Sequence, residues 1–184
     1  MAAAVIAGVY AYRQVQETRN ATKKQWEAVQ KQIAHAETLQ LERAQLEALS
    51  LYLETLSEFM VKSTNTDWGE HVLLASKVMV RLTAWGSMVA VDSPPVFEDV
   101  KVYVDKFKLA ADKAKGMVNT DAPLNHALLK SRLEALHTSY GNHSATLYAW
   151  QLDKSRRNDL ERGLKTGIDY LDVKFGKIVA LPDR

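Results

Sequence analysis

The side chains best equipped for chemistry are five histidines, His35, His71, His126, His137 and His143. A metal ion needs ligands that return to one point, on a helix most simply at i and i+4, and a zinc hydrolase adds the HExxH pattern. Neither spacing occurs, and His137 and His143 stand a turn and a half of helix apart. The carboxylates Glu37, Glu42 and Glu47 recur at every fifth residue, which scatters them round a helix and gathers no di-metal site. There is no Gly-rich phosphate loop, no GxSxG elbow and no cysteine, so thiolate, disulfide and iron–sulfur chemistry are excluded. The expectation is a non-enzymatic chain with no catalytic residue, no metal, no cofactor and no evident small-molecule substrate. His143 lies among apolar residues at helical spacing, which predicts pH-sensitive packing.

The tryptophans point to binding. A large ring at a helix interface anchors either the core or a partner. Trp85 and Trp150 are expected in the core. Trp26 belongs to Thr22, Trp26, Val29, Ile33 and Ala36, the alternating four- and three-residue steps of a coiled-coil seam, with no obvious cover from the same chain. Trp26, Val29 and Ile33 are therefore the expected partner-binding residues, for a second copy or for a helix of another protein.

These residues need elements to carry them. Residues 2–12 (AAAVIAGVYAY) hold no charge, and Arg13, Arg19, Lys23 and Lys24 follow against Glu17 alone. Val5, Ile6 and Val9, with Tyr10 and Tyr12 at the boundary, have the order of a membrane anchor leaving the bilayer. The run is too short for the about 20 residues that cross roughly 30 Å of hydrocarbon, so it is expected to be part of a longer span. The apolar end of a soluble helix and a targeting peptide are the alternative readings. For an anchor, the basic flank predicts that the bulk of the chain lies in the cytoplasm.

Residues 13–62 contain neither Pro nor Gly and predict one long helix, with a second seam at Leu39, Leu46, Leu49, Leu53, Leu56 and Met60. The seam slips near residues 36–39, where the charge also turns from basic to acidic. The expected organisation is a partial anchor over 1–12, a helical stalk over 13–38 and a helical bundle over 39–184. Turn formers at 63–67 (STNTD) start a second helix over 68–89, expected to be central, with Val72, Ala75, Met79, Leu82 and Trp85 on one face and Leu73, Val78 and Val80 widening it. Pro94 and Pro95 open a third helix with the seam Phe97, Val100, Val104, Phe107, Ala111 and Ala114, ended by Gly116. Its Lys101, Lys106, Lys108, Lys113 and Lys115 are either a docking patch or a solvated face. A fourth helix from Pro123 carries Leu129, Leu133, Leu136, Tyr140, His143, Leu147 and Trp150. After the wholly polar 153–159, which either bend or run on, Leu160, Leu164, Ile168, Leu171, Phe175 and Ile178 restore an apolar face. The fold class is all-α: a long N-terminal helix continuing into an antiparallel four- or five-helix bundle. A formal charge of +2 does not favour nucleic acid.

The run at residues 81–87 (RLTAWGS), with Val91 and the helix from Phe97 to Phe107, resembles a pattern in uncharacterised bacterial membrane-anchored proteins that carry a soluble helical bundle. The resemblance covers roughly residues 40–115. It implies a bacterial inner membrane and carries no site residue over. The expected function is a membrane-associated structural or scaffolding protein that acts through helix–helix interactions. The alternative is a sensory or regulatory bundle that signals through its N-terminal helix.

Overall fold

The computed structural model describes residues 2–90, 93–118 and 123–176, with side chains from residue 13 in the first stretch and from residue 126 in the last. The chain is all-α. Helices α1 (Ala2–Lys62), α2 (Trp68–Val89), α3 (Pro94–Lys115), α4 (Pro123–Leu152) and α5 (Arg157–Phe175) account for it, with a single 3-10 turn at Lys154–Arg156 between the last two. The described residues contain no strand. Two compact units divide the chain, Met1–Ala44 and Gln45–Arg184.

The first unit is helical throughout its described length, and every side chain from residue 13 to residue 43 is exposed. The hydroxyls of Thr18, Thr22 and Thr38 donate to carbonyls one turn back, which satisfies them without a partner element.

The second unit is an up-down-up-down-up bundle. In α1, Leu49, Tyr52, Leu53, Leu56, Phe59 and Met60 are buried, largely the second seam foreseen above. The chain then turns at residues 63–67, where the Asp67 carboxylate accepts the Glu70 N–H at 2.8 Å and caps α2. Lys115, at the end of α3, reaches this turn: its ammonium donates to the carbonyl of Ser63 at 3.1 Å and to that of Thr66. One buried cation thus serves two carbonyls of the turn between α1 and α2.

The buried residues of α2 are His71, Leu74, Val78, Leu82, Trp85, Gly86 and Val89. Val72, Leu73 and Val80 are 58%, 56% and 66% exposed, which corrects the expected wide face and the central position. An apolar composition does not say which side of a helix is covered, and α2 is a flank helix packed through one stripe. The more central helix is α3, which packs on α2, α4 and α5. Residues 81–87 (RLTAWGS) lie inside α2. Gly86 is there because the Phe97 ring crosses it: a Cβ would stand 2.1 Å from Phe97 Cδ2.

At residues 153–159 the chain bends. Asp153 accepts the Ser155 N–H at 3.0 Å and the 3-10 turn redirects the backbone into α5. The glycines that weaken α5 on propensity are matched to close packing, Gly163 against Thr146 of α4 and Gly167 against Tyr103 of α3. Ile178, expected to complete the α5 face, lies outside the described residues.

Candidate functional site

Helical spacing brings the expected partner-binding residues to one side of α1, and no part of the described chain covers them fully. Trp26 is 62% exposed, Val29 43% and Ile33 52%. The steps of four and three residues hold the three side chains in one stripe. The expected anchor residues Val5, Ile6, Val9, Tyr10 and Tyr12 belong to α1, and their side chains lie outside the described residues. Among the described residues one helix, α2, is long and apolar enough to cross a membrane, with a mean hydropathy of 1.3.

The other tryptophans divide as their surroundings dictate. Trp85 stacks on Tyr52 at 6.2 Å between ring centres, and Trp150 meets Trp85 edge-on at 6.3 Å. Both are core residues, as expected. Lys154 lies 3.6 Å from the centre of the Trp150 ring, and its ammonium donates to Gln151 at 2.8 Å. Gln151 in turn donates to Gln45 at 2.9 Å, and Gln45 to the Met88 carbonyl, so this end of the bundle is closed by a buried amide chain across α1, α2 and α4.

Two histidines are buried and three are on the surface. His143 is the one the spacing singled out. Its Nε2 shares a 2.8 Å hydrogen bond with the Tyr52 hydroxyl, and its ring stacks on Tyr103 at 3.9 Å and 11°. The Tyr103 hydroxyl bonds Ser139 Oγ at 2.7 Å. Burial away from water holds the His143 pKa down at about 3, so the ring is neutral through the physiological range. The same desolvation raises both tyrosines well above the usual phenol value. Tyr52 and Tyr103 come from α1 and α3, and no local pattern in α4 reveals them.

His71 had no distinguishing signal in the sequence. Its Nε2 meets Asp112 Oδ1 at 2.5 Å, and its ring packs between Phe59 and Trp68 at 5.1 and 5.4 Å. The pair opens on a cleft of about 420 Å³ between α2 and α3, lined also by Val72, Met79 and Lys108. A His on α2 and an Asp on α3 are 41 positions apart, and only the helix pairing joins them.

The lysine row of α3 is dispersed by packing. Lys115 is buried at the α1–α2 turn, Lys106 pairs with Asp172 at 3.0 Å, and Lys113 donates to the carbonyl of Phe175 at 3.2 Å. These three cations hold other elements in place, so the row is not one continuous docking patch.

No family model, curated protein or solved structure matches this chain. No family relationship is shown.

Proposed function

We propose that this protein is a non-enzymatic, membrane-associated scaffold that acts by helix–helix pairing through residues 22–36. Residues 2–12 are the membrane contact, and the bulk of the chain lies on the cytoplasmic side, in the bacterial inner membrane. The observation that supports this reading is the exposed seam of Trp26, Val29 and Ile33 on a helix whose side chains from residue 13 to 43 are all in water. Burying the exposed half of such side chains is worth about 1 kcal/mol each before the cost of association. Knobs at these steps fit a second helix at coiled-coil geometry.

Membrane fractionation tests the first half. Association that survives salt and carbonate washes in the full chain, and disappears when residues 1–12 are deleted, supports the anchor; extraction by salt alone opposes it. Trp26→Ala with Ile33→Ala tests the second half. The reading requires a lower oligomeric mass or loss of a co-purifying protein at fixed stoichiometry, and an unchanged mass and partner set rejects it.

A regulatory bundle is the second reading, with a ligand or partner shifting helix packing and the signal leaving through the N-terminal helix. Saturable ligand binding with a raised melting temperature would support that reading over the scaffold.

A further inference from the structure

Helix α2 carries a surface that packing in the bundle does not explain. Only 33% of its most apolar stretch is buried, although its mean hydropathy reaches 1.3. Its outward stripe includes Trp68, Val72, Leu73 and Val80, each more than half exposed. The charges on the exposed side keep to one edge. The charges of α2, Glu70, Lys77 and Arg81, are seven and four residues apart and so share one flank. The hydroxyls on the outward side are already satisfied: Ser76 donates to Val72, Thr83 to Met79 and Ser87 to Ala84, each to a backbone carbonyl at 2.9 Å. Such a face enters a medium without water while leaving no donor unmet.

We propose that the outward face of α2 docks on an anionic lipid bilayer, lying in the plane of the interface with its inner stripe still packed in the bundle. This contact is additional to the one proposed for residues 2–12 and does not depend on it. Charge selects the occupant. Lys77 and Arg81 flank the stripe on one side, and Lys108 lines the cleft on the other, where Val72 and Met79 form an apolar floor. Against these cations stand Glu70 and Glu58 on the first flank and Asp112 in the cleft; Glu58 is already paired with Lys62 at 2.6 Å and Asp112 is engaged by His71. Long basic side chains beside an apolar strip reach lipid phosphates while their stems stay in contact with the acyl region. Trp68 sits at the end of the stripe, at the depth where indole rings partition. An in-plane helix with an apolar face and a basic flank binds through buried area and attraction to anionic lipid together.

The test uses the full-length chain with Val5→Ser, Ile6→Ser and Val9→Ser, which silences the N-terminal contact, and Trp26→Phe, which leaves Trp68 as the exposed tryptophan. Flotation with phosphatidylcholine vesicles, with and without about one third phosphatidylserine, should show binding that needs the anionic lipid. Brominated acyl chains should then quench Trp68. Adding Leu73→Glu and Val80→Glu should lower the affinity by about tenfold or more, and Lys77→Glu with Arg81→Glu should lower it comparably. Both pairs are exposed, so an unchanged melting temperature accompanies the loss. Absence of vesicle binding, or binding that ignores both pairs, overturns the proposal. So does a doubled mass in solution that Val80→Glu abolishes, because the face then belongs to a second copy. If wild type binds vesicles and the Ser-substituted chain does not, this inference fails and the N-terminal anchor stands.

Discussion

Removing the titration of His143 should flatten the acid side of the stability curve. In the folded chain burial holds its pKa at about 3 against 6.5 for the free side chain. Between those values the unfolded chain binds a proton that the folded chain refuses, so stability is complete above 6.5 and is lost as pH falls. The slope is about 1.4 kcal/mol per pH unit, and lowering the pH from 6.5 to 4.5 removes about 2 kcal/mol. Tyr52→Phe with His143→Leu replaces both ends of the 2.8 Å hydrogen bond by apolar groups. At pH 7 this double variant should lie within about 1 kcal/mol of wild type, whereas His143→Leu alone should cost about 1–3 kcal/mol by stranding the Tyr52 hydroxyl. Urea unfolding at intervals from pH 4.5 to 8 measures it. With a slope of roughly 2 kcal/mol per molar urea, the wild-type midpoint should fall by about 1 M more than that of the double variant across the window. Other carboxylates cancel in that difference. If the difference between the two proteins is constant with pH, the buried neutral histidine is wrong.

Other substitutions separate packing from propensity. Gly141→Ala on α4 meets nothing within 4 Å, and should stabilise by about 0.5–1 kcal/mol through helix propensity. Gly167→Ala should do the opposite, since its Cβ would stand 2.9 Å from Tyr103 Cε2. A displaced Tyr103 ring disturbs the stack on His143, and a loss of about 1–3 kcal/mol in thermal unfolding is expected. Lys115→Met keeps the stem but leaves the Ser63 and Thr66 carbonyls without their donor, at about 2–4 kcal/mol; hydrogen exchange should rise first at the α1–α2 turn.

Periodicity made the helices legible, and pairing decided the rest. The α2 limits, the Pro94 start and the seams of α3 and α4 follow from spacing and from residues that begin or end helices. The facing of α2 does not. Apolar residues run almost round that helix, so the stripe from His71 to Val89 is chosen by what α1 and α3 present. Nor could the lysines of α3 be sorted by sequence: Lys115 is recruited by two carbonyls and Lys106 by Asp172 of α5. His71 and Asp112 carry no mutual signal, because a single contact between helices leaves no period. The stripe of Trp26, Val29 and Ile33 was legible because four- and three-residue steps put side chains on one side of a helix, and the structure leaves all three exposed.

A photo-cross-linking residue placed in turn at each position from 22 to 36 of the membrane-bound full-length protein tests the scaffold reading most directly. Adducts, to a second copy or to another protein, should peak at Thr22, Trp26, Val29, Ile33 and Ala36 and be weak between them. Adducts without that four- and three-residue rhythm, or none at all, would contradict pairing through this seam.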